Sequence, residues 1–579
     1  MRALFLFAVL PLAAQVPERD MRNIDPPNTD TKYSMPPYRS RAEWKNRADH
    51  LRKQILSAAG LLPLPEKTPL NPVVFDRLER DGYSLEKAYL ETMPGYYLAG
   101  NLYRPLGKSG KFPAVASPHG HWKTGRLEHS QTGSIPARAI NLARQGYVVF
   151  AYDMVGYNDT NQTPHAFGGP REQLWSFGPL GLQLWNSIRV VDFLEALPDV
   201  DKKRIGATGA SGGGTQTFLL QAVDDRVKVS APVNMISFIM QGGSPCENAA
   251  NLRIGANNVE IGAIMAPRPM LMVSATGDWT RNTPQKEFPA IRGIYQLFGK
   301  PDLVENVHIN APHNYNQQSR EAMYAFFAKH LLDVEDNSSY KEQPVVVEPA
   351  EKMLVWSGRE MPKNALKYEQ IVEQWIEAAR KQNEPSDRKK LRERLMLSLA
   401  AEWPDQVASQ PLDGKYIVLG RPGRGDRIPA IWRPGDGPAT LIVHESGSEA
   451  ASASPAAQAA RGPLLMIDAF QTGRAAAPRQ EAKRHHLTFN KTNDANRVQD
   501  ILTALRFLEQ QRAKPVRLVG IGKGAVWTTF AAAIADMPVR LEADLGAFSG
   551  TDEDFTRDFF VPGIQRAGGL KGALALIRR

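Results

Sequence analysis

Arg204-Ile205-Gly206-Ala207-Thr208-Gly209-Ala210-Ser211-Gly212-Gly213-Gly214-Thr215-Gln216-Thr217 is the stretch on which the fold turns. Arg204–Thr208 reads as a short buried strand, and Gly212–Ala222 reads as a helix that starts with no loop between. A serine held on so tight a strand-to-helix turn needs small neighbours, because bulky side chains two residues before and after it would collide. Gly209 and Gly213 supply that room. The turn also sets the Gly212 N–H at the head of a helix, where it can donate to a developing negative charge. Glycine-rich loops contain G-x-S-x-G by chance; the strand before it and the helix after it give this one its weight. The stretch predicts Ser211 as a nucleophile.

Working outward, apolar runs at Ala114–Ser117, Tyr147–Tyr152, Val227–Val233 and Met270–Ala275 are bounded by Gly, Pro or charged residues, as buried strands are. Helical segments lie between them at Ile135–Arg144 and Leu184–Leu197, and a last one runs from about Ser319 to Leu332. Two strands precede the series, Leu85–Thr92 and Tyr97–Tyr103, joined at Pro94-Gly95. Alternation of this kind predicts an α/β fold with a mostly parallel sheet flanked by helices.

A serine hydroxyl needs a base, and the base needs an acid to orient it. With a nucleophile on this kind of turn, the acid and then the base follow it in the chain. Asp278 ends the strand Met270–Ala275, at the edge of the sheet where ligand sites of open α/β folds lie. His313 falls in the loop between the strand Val304–Ile309 and the last helix. Glu247, after the strand Val227–Val233, is a second candidate for the acid. His308, within a strand, and His330, on the terminal helix, fit the base less well. The loop Pro118-His119-Gly120-His121-Trp122 follows an earlier strand and suits the other half of an oxyanion hole, through the backbone N–H of His121 or Trp122 beside Gly212. His119, Gly120, Glu247 and Trp279 are the candidates to line a substrate pocket. The spacing of His119, His121 and His129 matches no zinc pattern, and the chemistry requires no metal or organic cofactor. Cys246 lacks the turn setting of a nucleophile and reads as a buried thiol.

Thr208–Thr217 and Ala266-Pro267-Arg268-Pro269 resemble the acetylxylan-esterase and dienelactone-hydrolase-like branch of the α/β-hydrolase superfamily, over roughly Leu85–Leu332. The resemblance implies the triad Ser211, Asp278 and His313 and a serine carbohydrate esterase. Dienelactone hydrolases proper carry Cys at the nucleophile, so Ser211 argues against that chemistry. A serine peptidase of the prolyl-oligopeptidase type shares the triad order, but the residues before the hydrolase pattern show no propeller-blade period. A non-catalytic binding protein built on hydrolase folds is the other alternative.

The pattern then repeats. Arg433-Pro434, Leu464–Asp468, Arg497–Leu508 and Arg517-Leu518-Val519-Gly520 echo the first copy in order and spacing. At the equivalent turn stands Gly520-Ile521-Gly522-Lys523-Gly524, with glycine for serine, and no histidine follows His486. The second copy is expected to be a smaller, degenerate hydrolase-like domain. The domain expectations are residues 1–14 as signal peptide, 15–75 as an N-terminal extension with a helix, 76–335 as the catalytic domain, 336–411 as linker and helical region, and 412–579 as the degenerate copy.

Met1–Ala14, with Arg2, an apolar run and a small-residue exit, reads as a secretory signal; export to a periplasm or beyond is expected, with no transmembrane segment. The chain has 579 residues, 71 basic and 61 acidic. Its net charge of +10 is dispersed, with no basic run on a nucleic-acid fold, so nucleic acid is not an expected partner; a small-molecule or carbohydrate ester is. One cysteine means no internal disulfide.

Overall fold

The computed structural model describes residues 16–383, 387–481 and 484–577. The expected signal peptide lies outside the described residues. Two compact units emerge: Thr29–Gln382 forms one, and the described residues up to Asn28 join those from Asn383 onward to form the other.

The larger unit carries a nine-stranded sheet. Its strands are β1 (Val73–Arg80), β2 (Tyr83–Met93), β3 (Tyr96–Pro105), β4 (Phe112–Ala116), β5 (Val148–Tyr152), β6 (Val200–Ala210), β7 (Val227–Val233), β8 (Met270–Gly277) and β9 (Val304–Pro312), in the order β1-β2-β3-β5-β4-β6-β7-β8-β9. The first three are antiparallel, and from β5 to β9 each neighbour is parallel. Val148–Tyr152 is buried along its whole length, as a strand covered by helices on both faces must be. The crossover helices Ile135–Gln145, Pro179–Ala196 and Gly212–Val223 lie where the apolar periodicity set them, though the second begins earlier than expected, at Pro179, whose fixed φ suits a first helical turn. This is the α/β-hydrolase architecture.

The smaller unit has seven strands: β10 (Ala408–Asp413), β11 (Tyr416–Gly420), β12 (Ile428–Arg433), β13 (Ala439–His444), β14 (Leu464–Ile467), β15 (Val516–Ile521) and β16 (Val539–Ala543). Their order, β10-β11-β12-β14-β13-β15-β16, is that of β1 through β7. The smaller unit therefore repeats the strand order of β1 through β7, with no counterpart of β8 and β9 among its described residues.

The unit boundaries depart from the expected domains in two places. Residues 336–382, expected as linker and helix outside the hydrolase domain, belong to the larger unit. Arg320 holds Glu342 through two 2.6 Å contacts, Asn101 donates to the Met353 carbonyl at 2.8 Å, and Val355 N–H donates to Asp159 at 2.8 Å. Met353 and Val355 are fully buried. A polar, proline-containing segment looks like a linker in sequence because these partners are remote from it in the chain. The second departure concerns residues 16–28, which join the smaller unit. Met21 N–H donates to the Gly425 carbonyl at 2.9 Å, and Arg22 pairs with the buried Asp500 at 2.6 Å.

Candidate active site

The turn after β6 is the strained one that the glycines anticipated. Ser211 has φ 59° and ψ −124°, a left-handed conformation that costs a non-glycine residue about 1–3 kcal/mol unless its surroundings enforce it. Enforcement comes from both sides: Ser211 N–H donates to the Val233 carbonyl at 3.1 Å, and the Ser211 carbonyl accepts from Thr215 N–H at 2.9 Å. A Cβ on Gly209 would meet the Pro118 carbonyl at 2.6 Å and the Gly213 carbonyl carbon at 2.7 Å, so neither neighbour tolerates a side chain. Ser211 itself is partly exposed.

The segment ending β8 delivers Asp278, and the loop leaving β9 delivers His313. The Asp278 carboxylate is buried; one oxygen accepts from Thr280 N–H at 2.6 Å and the other faces His313 Nδ1 at 2.7 Å. A carboxylate only accepts, so Nδ1 carries the hydrogen and Nε2 keeps its lone pair. His313 Nε2 is buried with no hydrogen-bond partner among the described residues. The Trp279 ring lies against the imidazole with centroids 4.5 Å apart, and its own Nε1 is anchored on the Asn234 carbonyl at 3.1 Å. An oriented imidazole with a free Nε2, on the same sheet edge as a strained serine, is an arrangement that can move a proton.

The Pro118–Trp122 loop closes over the turn. A Cβ on Gly120 would come within 2.7 Å of the Ala210 carbonyl and 3.1 Å of Ser211 Cβ, which is the close approach its lack of a side chain allows. The His121 ring lies across the head of the helix, so near Gly212 that a Cβ there would meet its Cε1 at 2.5 Å. Trp122 fills the space above Gly120 and Gly133.

Two expectations need correction. His119 is unavailable as a substrate contact: it is fully buried, its Nδ1–H donates to the Gly120 carbonyl at 2.7 Å and its Nε2 accepts from Met154 N–H at 2.9 Å. Burial holds its pKa down at about 3, so the ring is a neutral brace for the loop. Glu247 is not paired with His313. One of its oxygens accepts from the N–H groups of Gly243 and Ser244 at 2.7 and 3.1 Å, and the other lies 4.0 Å from His121 Nδ1. A carboxylate three residues past a serine is the signature of a capping box, and Ser244–Glu247 forms one.

Sequence reasoning missed His165, which sits beside the candidate site with its Nε2 3.2 Å from that of His121. It also missed Arg126, a buried guanidinium paired with Asp153 and Asp159 that ties the loop after β4 to the loop after β5. Neither carries a local motif; only the topology brings them in.

No protein-family model matches the chain. YtaP of Bacillus subtilis (strain 168), a hydrolase by inference, is 27% identical over 189 residues, which make up 31% of this chain and 61% of YtaP. The chain thus spans about three fifths of that relative's length. Among solved structures, Methylesterase BT1017 is 32% identical with a TM-score of 0.52, over 60% of this chain and 78% of that one. A glucuronoyl esterase from Solibacter usitatus is 15% identical with a TM-score of 0.39, over 55% of this chain and 99% of its own. With 32% identity to a methylesterase across most of that enzyme's length, on a sheet of this strand order, the chain belongs to the α/β-hydrolase superfamily, on its esterase side.

Proposed function

We propose that the protein is an exported serine esterase that cleaves carboxylic esters on carbohydrate through Ser211, His313 and Asp278. The observation that carries this reading is an imidazole whose Nδ1 is fixed by Asp278 and whose Nε2 is free, at the same sheet edge as a strained, partly exposed serine. In the first step Ser211 Oγ attacks the ester carbonyl and its proton passes to His313 Nε2. The negative charge that develops on the carbonyl oxygen is taken up by the Gly212 N–H, with a second N–H from His121 or Trp122. Asp278 stabilises the imidazolium. His313 returns the proton to the leaving alcohol, then takes one from water, whose oxygen attacks the acyl-enzyme and releases the acid. No step calls for a cofactor. Export rests on the Met1–Ala14 pattern.

Acetyl or similar acyl groups on sugars are the first substrate reading. Methyl esters of sugar acids are the second, favoured by the 32% identity to a methylesterase. In both the bond broken is an ester C–O, and only the side bearing the sugar differs. A panel of acetylated sugars, methyl-esterified sugar acids, aryl acetates and peptide amides separates them; a preference for amides would sink both. Ser211→Ala should lower ester hydrolysis by at least 10³-fold and abolish labelling by a fluorophosphonate probe, with the fold unchanged. Labelling that persists in the variant would put the nucleophile elsewhere.

A further inference from the structure

Three loops at the carboxyl edge of the larger sheet converge on one point. The loop after β4 brings His121, the loop after β5 brings His165, and the turn Pro245–Glu247 after β7 brings Cys246. His121 Nε2 lies 3.2 Å from His165 Nε2 and 3.1 Å from Cys246 Sγ, and one donor atom from each residue falls within 4.8 Å of the other two. Cys246 is 1% exposed.

The hydrogens are constrained. His165 Nδ1 lies 2.7 Å from the Val155 carbonyl, which can only accept, so Nδ1 carries the hydrogen and Nε2 turns a lone pair inward. His121 Nε2 therefore faces one nitrogen lone pair and one sulfur at the same time, while the Cys246 thiol also reaches Ser244 Oγ at 3.6 Å. A divalent cation would serve all three. Tetrahedral zinc, with Zn–N of about 2.0–2.1 Å and Zn–S of about 2.3 Å, sets its ligand atoms about 3.3 Å (N to N) and about 3.6 Å (N to S) apart. The cluster is within about 0.1 Å of the first separation and about half an ångström inside the second. The backbone carbonyl behind His165 is a partner of the kind that metal-bound imidazoles use, and the Glu247 carboxylate lies 4.0 Å from His121 Nδ1, beyond hydrogen-bond distance. Tyr157 walls the two rings edge-on, with centroids 5.1 Å from His165 and 6.5 Å from His121. Ser244 Oγ lies 3.3 Å from His165 Nε2 and 3.6 Å from Cys246 Sγ, a further polar group beside the cluster.

We infer that His121, His165 and Cys246 form a binding site for one borderline-soft divalent transition metal of the zinc class. None of the three belongs to the serine, histidine and aspartate set, so the site stands whether or not that set cleaves esters. Two imidazoles and a thiolate select zinc-class ions over calcium or magnesium, which take oxygen. A metal there would tether the loop that covers Ser211 to the loops after β5 and β7. Its part would be to position that loop.

The full-length protein, stripped with a chelator and dialysed, is titrated with Zn2+ and separately with Co2+, which reports its ligands optically. One Zn2+ per chain is expected, together with a thiolate-to-cobalt charge-transfer band. Cys246→Ser should abolish that band, and His165→Ala should weaken Zn2+ binding at least 10-fold, both checked for native circular dichroism. A wild-type titration with no charge-transfer band overturns the assignment without recourse to any variant. So do preference for Ca2+ or Mg2+ over Zn2+, and Zn2+ binding that neither substitution changes.

Discussion

At the scale of single residues, the two carboxylates near the candidate site separate cleanly. Asp278 faces His313 Nδ1, whereas Glu247 caps its own turn. Asp278→Asn should therefore cut kcat by about 10³–10⁴-fold, since the wrong imidazole tautomer is favoured. Glu247→Gln should leave kcat within about 10-fold, its cost falling on the turn it caps. Steady-state kinetics on an aryl acetate checks both, and a reversal of the two effects would move the acid to Glu247. His119 gives a pH signature of another kind. Its pKa is 6.5 in an unfolded chain and about 3 in the fold, so below 6.5 the unfolded state binds the extra proton. The stability that a neutral His119 supports is complete above pH 6.5 and is lost progressively as pH falls toward 3, by up to about 5 kcal/mol. His119→Gln, whose amide also donates and accepts, should flatten the dependence of urea-unfolding free energy on pH across that window. An unchanged slope would show that other groups govern it.

Among the elements, the strand-to-helix turn appears twice, once with serine and once with glycine. Gly522, at the end of β15, keeps the left-handed φ of its counterpart, 59° in both. A Cβ there would overlap the Glu445 carboxylate, which accepts from Lys523 N–H at 3.0 Å. Gly522→Ser should thus add no hydrolysis to the Ser211→Ala protein, and labelling by a fluorophosphonate probe should stay at background. The alternation of strands and helices, the turn and the helix after Ser211 were legible in sequence because each rests on local chemistry: apolar runs, small residues beside a crowded turn, an abrupt start of helical periodicity. Asp278 and His313 were legible through their place after strands. His165 was not, because it lies 44 residues from His121, and Cys246 lies 125 from it. Such a cluster exists only once the order of β4, β5 and β7 in the sheet is known. The capping role of Glu247 was written in Ser244-Pro245-Cys246-Glu247, and the nearby strand end drew it toward the triad instead.

For the molecule as a whole, the boundary at Gln382 makes a testable difference. A chain of residues 29–382 keeps Glu342, Met353, Val355 and the helix Tyr368–Gln382. It should melt cooperatively and cleave aryl acetates. A chain ending at Asp336 loses the partners of Arg320, Asn101 and Asp159 along with two buried apolar side chains. It should be less stable by at least about 2–5 kcal/mol, the scale of one buried methionine removed. Equal melting temperatures for the two would show that residues 337–382 do not support the hydrolase sheet.

Residues 16–28 raise a question of timing. The carboxylate that pairs with Arg22 lies 478 residues further along the chain. At about 5–20 residues per second, a ribosome reaches Asp500 roughly half a minute to a minute and a half after Arg22. All nine strands of the larger unit are synthesised in that interval, before the surface that receives residues 16–28 exists. That segment must stay uncommitted while its neighbour folds, then be captured by a unit made after it. Hydrogen exchange should find the Met21 amide unprotected in a chain that ends before Gly425 and protected in the full chain.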